Sequence, residues 1–435
     1  MNRKSANHIS YRLGYEAGYR QGRQSGRQHF GAIFEGTSII IPTCNQLGLL
    51  KRCLESIDRH TDTPYELIVI DNASTDGTAR YLGSLRGQVR SRILNENKGF
   101  AAALNVGLMM AKGTTILLLN NDVLVTDRWL RNMLVCLHSD PTIGMVGPVT
   151  NYISGEQQIL VPYRQLARMP AFAREHNRSN PVLWRDTEWL KGFCLLFRRA
   201  LFEEIGYWDE GFEIGNYEDN DYNIRVRLAG KRLVIAADTF IHHFGSVSIR
   251  AIGKEIGASN VHNASYYSAK WNDVQLWKFQ VGEQRSRLGE AQVSGSAGPS
   301  LYPQRVAVRG IGPVSYWIED GWRRPVEGEL AIPVVQVSQV DLRRWPVSEP
   351  IGAEEVRLRW LGFDQPPGLE AGILQQPDGP TWHIENRMLR QVISLPALES
   401  WQLHLKPSAI VDAAALPGLP VGLPIIALPL LRQKL

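Results

Sequence analysis

From Thr37 onward, short apolar runs alternate with segments of helical periodicity, and this alternation constrains the fold more than any other feature. The run "SIIIPT" is followed by leucines 47, 50 and 54 at helical spacing. "ELIVIDNASTDGT" and "SRILNENKGFAAALNVGLMMAKG" repeat the order of strand and then helix, and "ILLLNNDVLVT" follows. The pattern predicts an α/β domain built on a largely parallel central sheet.

Length, charge and cysteine content limit the class of protein. The chain has 435 residues, a net charge of +5 and 44% hydrophobic residues, which suits a globular protein of two or more domains. The mild positive charge suits anionic ligands or an acidic membrane surface, and it does not predict nucleic-acid binding. Cysteines 44, 53, 136 and 194 form no CxxC pair, so neither a zinc site nor a disulfide framework is expected.

The expected location follows from the cysteines and from the apolar segments. Unpaired cysteines indicate a reducing, cytoplasmic setting, where the protein could work at the inner face of the membrane. The first thirty residues lack the apolar core of a secretory signal. The late stretch "AIVDAAALPGLPVGLPIIALPLL" contains four prolines, so strands and turns are expected there instead of a membrane-spanning helix.

Changes in composition divide the chain into four predicted parts. Residues 1–35 form a basic arm rich in Gly, Tyr and Arg, interpreted either as a flexible tail or as a small-residue packing face. Residues 36–255 form the α/β domain, and residues 256–300 form a helical segment and a linker. Residues 301–435 alternate short β-type runs with Gly/Pro turns, which predicts an all-β, sandwich-like accessory domain. Its tryptophans could stack on sugars or fill the core.

Polar residues follow the apolar runs of the α/β domain. Asp71, Asn97 and Asn120–Asp122 all stand at predicted strand ends. In largely parallel sheets, ligands bind at the carboxyl ends of the strands, so we expect these side chains to converge. Asp122 could bind a divalent ion. Each of these residues taken alone could equally serve a turn.

The segment "YEDNDYNIRVRLAG" carries the strongest local signal. Glu218, Asp219 and Asp221 crowd the first turn of a predicted helix, where acids favour the helix dipole. Three carboxylates in four positions also repel one another, unless a cation or a proton-transfer role compensates. His242 and His243 end the next strand. They could contact a metal ion or a phosphate, or they could simply be surface histidines.

Residues 37–250 resemble the family 2 glycosyltransferases of the nucleotide-diphospho-sugar (GT-A) fold, including bacterial rhamnosyltransferase-like members. The matching segments occur in the family's order and include "IVIDNASTDGT", "NENKGFAAALNVGL", "LLLNNDVLVT", "KGFCLLFRRALFEEIGYWDEGF", "YEDNDYNIRVRLAG" and "HHFGS". They cover about half of the chain. The β-rich C-terminal region lies outside the resemblance.

The resemblance implies a donor site at the strand ends. The nucleobase pocket would be formed by Pro42, Thr43 and Asp71. The segment against the ribose and the diphosphate would include Asn97, Gly99 and Asn105. The family's DxD position is occupied here by Asn120, Asn121 and Asp122. An asparagine therefore stands in place of the first acid, which leaves Asp122 to make the ionic contact.

The resemblance also implies a base, a metal ligand and an acceptor side. Asp219 would be the catalytic base, with Glu218 beside it. His243, or His242 because the doublet blurs the register, would lie near the metal and the diphosphate. The residues expected on the acceptor side are Lys191, Gly192, Phe193 and Asp221.

The implied activity is that of an inverting glycosyltransferase, an enzyme of the hexosyltransferase class that uses Mg²⁺ or Mn²⁺. It would move a sugar from a dTDP- or UDP-sugar to a hydroxyl of a glycan, a lipid-linked sugar or a peptide, in cell-surface polysaccharide or glycoconjugate synthesis. No nucleic-acid partner is expected, whereas a homo-oligomer and a peripheral membrane contact are open. One alternative is a catalytically silent sugar-nucleotide or glycan-binding module, motivated by Asn120. Another is a nucleotidyltransferase, which would need a Gly- and Lys-rich loop that "PTCNQLG" does not supply.

Overall fold

A computed structural model describes residues 31–435 apart from 86, 246–254, 289–300, 365–371, 378, 413–415 and 434–435, and it also describes a few residues between 14 and 21. The predicted N-terminal arm and the linker at 289–300 lie mostly outside the described residues. In the part described, one large sheet occupies the first half of the chain. Two smaller sheets occupy the region after residue 301.

The large sheet has nine strands in the order β3-β2-β1-β4-β8-β6-β9-β5, and β7 pairs with β9 at its side. Its strands are β1 (Phe34–Thr43), β2 (Tyr65–Asp71), β3 (Arg90–Ile93), β4 (Gly113–Leu119), β5 (Val123–Leu124), β6 (Ile143–Thr150), β7 (Trp184–Thr187), β8 (Cys194–Arg198) and β9 (Arg232–His243). Strands β3, β2, β1 and β4 run parallel to one another, as do β6 and β9. The mixed, mostly parallel sheet confirms the predicted fold class.

The apolar runs form this sheet because both of its faces are covered. Successive side chains of a strand point to opposite faces, so continuous apolar runs suit a sheet that is buried on both sides. Ile40, Ile68 and Leu118 belong to the core on one face, whereas Ile39 and Leu117 belong to the core on the other. Helices pack on both faces, namely α1 (Leu47–His60), α2 (Thr78–Ser84), α3 (Phe100–Met110), α4 (Trp129–Ser139), α5 (Met169–His176), α6 (Arg199–Ile205) and α7 (Glu218–Leu228).

Strand register brings the polar strand ends together. Thr43 is paired with Asp71 at the carboxyl ends of β1 and β2. Strand β4 runs parallel to β1 on its other side, so residues after Leu119 emerge at the same edge. The short strand β5 then pairs antiparallel with the end of β9, with Val123 opposite His243. This pairing places the segment after β4 beside the histidine doublet.

Two longer helices, α8 (Glu255–Trp271) and α9 (Val274–Leu288), connect the large sheet to the C-terminal region. Within that region, a five-stranded sheet has the order β13-β10-β11-β12-β14, and a four-stranded sheet has the order β17-β16-β15-β18. The strands are β10 (Val306–Arg309), β11 (Ser315–Glu319), β12 (Trp322–Glu327), β13 (Val334–Gln336), β14 (Ile351–Gly352), β15 (Ile373–Gln375), β16 (Thr381–Glu385), β17 (Met388–Val392) and β18 (Ser408–Ile410).

The C-terminal region is β-rich, as predicted, with three short helices between its strands: α10 (Gln339–Arg343), α11 (Ala353–Trp360) and α12 (Leu395–Ser400). Trp317 and Trp401 are fully buried, which favours their interpretation as core residues, whereas Trp322 is 43% exposed. The core of this region extends to Ile224 and Leu228 on α7. None of the described helices combines the length and the apolar character needed to cross a membrane.

Candidate active site

A cleft of about 1030 Å³ opens at the edge of the large sheet where the strand ends converge. Most of the predicted site residues lie along its walls. They are Pro42, Thr43, Asn97, Asn120, Asn121, Asp122, Lys191, Gly192, Phe193, Glu218, Asp219 and His243. The structure therefore brings the predicted donor, metal, base and acceptor residues to one cavity.

One wall of the cleft, the predicted donor wall, is held by an amide network centred on Asn72. Its Nδ2 donates to Asn97 Oδ1 at 2.7 Å and to the Gly99 carbonyl at 3.1 Å, and its Oδ1 accepts from Lys98 N at 2.9 Å. Gly99 has a φ of 86°, a left-handed conformation that glycine adopts readily. Asp71 is fully buried beneath this wall and accepts from Ser74 N at 2.9 Å. Asn72 thus fixes the loop that follows β3 against the end of β2.

Residues 120–122 are fixed in place by neighbouring strands. Asn120 N donates to the Phe193 carbonyl at 2.9 Å, and Asn121 Nδ2 donates to Thr43 Oγ1 at 2.7 Å. The Asp122 carbonyl accepts from Phe244 N at 3.0 Å. Asn121 therefore ties β4 to the end of β1. The Asp122 carboxylate remains directed toward the β9 side.

Asp122 and His243 form a pair of ligand atoms. His243 Nε2 lies 3.2 Å from Asp122 Oδ1, and both atoms are buried without a hydrogen-bond partner among the described residues. His243 Nδ1 lies 2.8 Å from the Tyr152 carbonyl, which can only accept, so Nδ1 carries a proton and Nε2 is the ring atom that faces Asp122. The ring also stacks on Phe193 at 5.5 Å.

The pair fits part of a divalent-cation site. A carboxylate oxygen and an imidazole nitrogen are both ligands for such ions, and two facing orphan atoms are otherwise costly to bury. Within the described ranges, no group of three or more His, Cys, Asp or Glu side chains is arranged to hold a metal. The Asp122–His243 pair thus supplies two donors, and a bound molecule or water could supply further ligands.

The acidic end of the cleft is the first turn of α7. Glu218 is 6% exposed, and burial together with the carboxylates of Asp219 and Asp221 raises its pKa to about 8. Burial also raises the pKa of Asp219, although Lys191 and the N–H groups of Gly192 and Asn220 act in the opposite direction. Asp219 Oδ2 accepts from Gly192 N at 3.1 Å. At neutral pH this arrangement favours a protonated Glu218 beside an ionisable Asp219.

Asn105 does not reach the cleft, in contrast to the expectation for the donor wall. It is fully buried on α3, where its amide donates to the Trp208 carbonyl at 2.9 Å and to Glu210 Oε1 at 2.8 Å. Its Oδ1 accepts from Trp208 N at 2.9 Å. All of its hydrogen-bonding groups are therefore engaged in joining α3 to the segment before α7.

Asp221 and His242 also point away from the cleft. Two residues along a helix correspond to a rotation of about 200°, so Asp221 faces the opposite side of α7 from Asp219. There its carboxylate accepts from Lys270 Nζ at 2.6 Å and from Arg225 Nε at 2.9 Å. Burial alone would raise its pKa, but these cations hold the pKa below its ordinary range. His242 instead bonds to the Tyr163 hydroxyl at 2.7 Å, and burial lowers its pKa to about 4.

Several cleft residues were not identified from the sequence. The loop at 214–217 lines the cleft beside Glu218 and Asp219, and Ser259 and Asn260 extend this wall from α8. Tyr152 and Gln158 border the cleft near His243. These residues lie in loops or on a helix without a local motif. Only Asn72, directly after Asp71 at a strand end, carried a sequence signal that could have identified it.

The fold and the cleft define an α/β protein with a ligand site at the carboxyl ends of parallel strands, and comparison with known proteins narrows this class. Residues 38–206 match the family described as Glycosyl transferase family 2. Residues 38–206 are therefore similar to glycosyltransferase family 2, as the motifs predicted. This match and the mixed, mostly parallel sheet agree with the expected GT-A fold class.

Related sequences cover about half of this chain. An uncharacterized protein of Sinorhizobium fredii is 29% identical over 49% of this chain and 25% of its own length. An O-antigen biosynthesis protein of Myxococcus xanthus is 28% identical over 49% of this chain and 18% of its own length. A PGL/p-HBAD biosynthesis glycosyltransferase of Mycobacterium tuberculosis is 26% identical over 50% of this chain and 81% of its own length. The chain thus spans a quarter or less of the first two relatives.

Solved structures with a similar arrangement include two glycosyltransferases. GalNAc-T7 with UDP, GalNAc and Mn²⁺ aligns with a TM-score of 0.39 and 19% identity, over 48% of this chain and 43% of that chain. A mannosyltransferase from Pyrobaculum calidifontis in complex with GDP-Man and Mn²⁺ aligns with a TM-score of 0.37 and 24% identity. That alignment covers 48% of this chain and 57% of the mannosyltransferase.

Proposed function

We propose that this protein is an inverting glycosyltransferase that moves a sugar from a nucleotide-diphosphate donor to an acceptor hydroxyl. The observation that carries the proposal is that one cleft contains both the Asp122–His243 ligand pair and the Glu218–Asp219 carboxyl pair. The first pair suits a diphosphate with its counter-ion, and the second suits proton transfer. Either pair alone has a structural explanation, whereas together they supply both ends of a displacement reaction.

Asp219 is the proposed base. Its carboxylate takes the proton of the acceptor hydroxyl, and the oxygen forms a bond to the anomeric carbon of the donor. The bond from that carbon to the diphosphate oxygen breaks on the opposite face, and the nucleotide diphosphate leaves with the electron pair. The raised pKa of Asp219 supports this role because a base works best when its pKa approaches the working pH.

Glu218 and Lys191 have supporting roles in this proposal. Glu218, with a pKa of about 8, carries a proton at neutral pH and therefore does not add a second negative charge beside the base. Lys191 faces the same carboxylates and keeps Asp219 ionisable despite its burial. The two carboxyl groups titrate as a coupled pair, so the pH profile of turnover reports the pair and not one residue alone.

Asp122 and His243 are the residues that would hold Mg²⁺ or Mn²⁺. A bound divalent ion supplies charge neutralisation for the leaving diphosphate. Because the Asp122–His243 pair supplies two donors, we expect weak Mn²⁺ binding to the ligand-free protein and tighter binding once a nucleotide diphosphate is present. Titration of Mn²⁺ by electron paramagnetic resonance, with and without UDP or dTDP, measures this difference. Equally tight binding in both conditions would contradict the proposed metal site.

The donor is proposed to be a dTDP- or UDP-sugar, and the acceptor a glycan, a lipid-linked sugar or a peptide. Relatives named for O-antigen and PGL/p-HBAD biosynthesis support a role in cell-surface glycan or glycoconjugate synthesis. A cytoplasmic location is supported by the four cysteines, all of which are free thiols. The β-rich region at 301–435 is proposed to be an accessory domain that packs against the catalytic domain at 36–255.

A panel of UDP-, GDP- and dTDP-sugars, each with and without Mn²⁺, tests the proposed function. Release of sugar and nucleotide diphosphate, or transfer to an added acceptor, is the expected result. A thermal shift with a donor but no turnover would indicate a silent binding module instead. Release of inorganic pyrophosphate from a sugar phosphate and a nucleoside triphosphate would indicate a nucleotidyltransferase.

A further inference from the structure

Asn263 lies at the centre of helix α8, outside the segment that matches the glycosyltransferase family, and is fully buried. Among the described residues, the hydrogen bonds of its side chain go to one stretch of backbone, the loop at 213–217. Nδ2 lies within hydrogen-bond distance of the Glu213, Gly215 and Asn216 carbonyls, at 2.9, 3.0 and 3.0 Å. Oδ1 accepts from Glu213 N at 2.9 Å. The side-chain amide of Asn263 therefore bonds to both a backbone N–H group and backbone carbonyl groups of this loop.

The loop adopts a backbone conformation that needs such support. Ile214, Asn216 and Tyr217 have φ values of 60°, 75° and 72°. Left-handed conformations are unfavourable for residues with a Cβ, and most of all for a β-branched residue such as isoleucine. Three of them within four positions persist only when the surroundings fix the backbone. The amide of Asn263 supplies hydrogen bonds to this backbone in addition to the internal bond from Gly215 N to the Glu213 carbonyl.

The position of the loop links the donor side of the cleft to the base. At one end, Phe100 N donates to the Ile214 carbonyl at 3.3 Å, directly after the donor-wall residue Gly99. At the other end, Tyr217 is followed immediately by Glu218 and Asp219. Residues 214–217 also line the cleft between these two points. A shift of this loop would therefore move the first turn of α7 relative to the donor.

Helix α8 is itself rigidly attached to the α/β domain. Lys270 Nζ lies 2.5 Å from Asp209 Oδ2 and 2.6 Å from Asp221 Oδ1, and all three side chains are fully buried. A Cβ on Gly211 would lie 2.5 Å from the ring of Tyr266, so the helix and the segment before the loop are in close contact. The helix that carries Asn263 is therefore anchored to the α/β domain.

We infer that Asn263 is a positioning residue. It holds the loop at 213–217 in place and thereby keeps Asp219 at the correct position relative to the donor. The inference rests on the proposed function, because it assigns the base role to Asp219. It implies that helix α8 belongs functionally to the catalytic unit. A change at Asn263 should impair the chemical step while leaving nucleotide binding intact.

Donor hydrolysis by the full chain tests this inference, with Mn²⁺ and the most rapidly hydrolysed donor of the panel. Asn263→Ala should lower kcat by up to about 100-fold, because misplacement of a reacting group by about 1 Å can have an effect of this size. KM for the donor should stay unchanged. Asn132→Ala is the matched control. Asn132 is also buried, and its amide donates to two carbonyls, those of Asn177 and Asp238, away from the cleft. This control should lower the melting temperature without lowering kcat.

Amide hydrogen exchange gives a second readout that does not depend on activity. In Asn263→Ala, exchange should rise in residues 213–221 and at Phe100, whose N–H bonds to the loop, and stay unchanged in residues 90–98. If Asn263→Ala does not fold, Ser259→Ala serves instead. This change removes the bond from Ser259 Oγ to the Glu213 carbonyl at 3.1 Å and should shift both readouts in the same direction by a smaller amount.

The outcomes separate the inference from the proposed function. Equal losses of kcat in Asn263→Ala and Asn132→Ala, or unchanged exchange in residues 213–221, would overturn the positioning role. If the wild-type chain neither hydrolyses a donor nor transfers its sugar to an added acceptor, the proposed function fails, and the exchange experiment alone decides whether Asn263 holds the loop. Increased KM for the donor with unchanged kcat would also overturn the inference, because it would place the effect on donor binding.

Discussion

The proposed donor half and the proposed acceptor half of the cleft are built from different parts of the chain and with different chemistry. The donor half consists of the ends of β1, β2 and β4, joined by neutral amides such as Asn72 and Asn121. The acceptor half consists of loops and helices, and it contains the buried carboxyls of α7. Strand register fixes the donor half, whereas buried ion pairs and the amide of Asn263 hold the acceptor half. Substitutions in the donor half should therefore weaken nucleotide binding, whereas substitutions in the acceptor half should lower turnover or stability.

The largest expected effect separates binding from chemistry. Asp219→Asn removes the proposed base and keeps the shape of the side chain, so turnover should fall by about 10²- to 10⁴-fold. Binding of UDP or dTDP, measured by isothermal titration calorimetry, should stay the same because the donor half is untouched. The surface change Asp186→Asn serves as a control. Retained turnover in Asp219→Asn would remove the base assignment.

Loss of the buried cation should destabilise the acceptor half. Lys270→Ala leaves Asp209 and Asp221 buried without their shared partner, which should lower the free energy of unfolding by about 3–5 kcal/mol. The matched change is Lys278→Ala, because Lys278 pairs with the half-exposed Glu188. Its expected cost is at most about 1 kcal/mol. If urea denaturation gave similar losses of unfolding free energy for Lys270→Ala and Lys278→Ala, the buried ion pairs of Lys270 would not contribute more to stability than a surface ion pair.

Glu218→Gln should change how stability depends on pH. Because the folded-state pKa of about 8 exceeds the ordinary value of 4.5, the folded protein binds this proton more tightly than the unfolded chain. The resulting stability is present below the ordinary pKa and is lost as pH rises through the folded pKa. The melting temperature of the variant relative to the wild type should therefore increase from about pH 5 to about pH 9.

Glu188→Gln is the control for this pH experiment. Hydrogen bonding to Lys278 and Arg227 lowers the pKa of Glu188 to about 2. Its proton is therefore absent from both the folded and the unfolded states across most of the same pH range, and the variant should show little pH-dependent difference. A flat curve for Glu218→Gln would contradict the raised pKa in the acceptor half.

The smallest expected effect lies in the donor half. Asn72→Ala removes three hydrogen bonds between the end of β2 and residues 97–99 in the loop after β3, at a cost of about 1–3 kcal/mol in the free energy of unfolding. Binding of the nucleotide diphosphate should weaken while kcat at saturating donor remains near the wild-type value. A variant with normal KM and reduced kcat would reverse the assignment of the two halves.

The sequence predicted the donor half better than the acceptor half, for a physical reason. Strand ends are visible as apolar runs that stop at Asp71 and Asn120, and the register of a parallel sheet then brings them together. The contacts of Asn263 and Lys270 join segments about 50 residues or more apart in sequence, so no local sequence pattern predicts them. The orientation of Asp221 follows from helical rotation, which the segment "YEDNDY" obscures because all of its acids occur in one turn.

The configuration of the released sugar tests the proposed inverting displacement most directly. Time-resolved proton NMR of donor hydrolysis, with the full chain and Mn²⁺, distinguishes the first anomer formed before mutarotation. A single displacement assisted by Asp219 predicts that the anomer opposite to the donor's configuration appears first. Initial release of the anomer with the donor's configuration would contradict the displacement and with it the base role of Asp219.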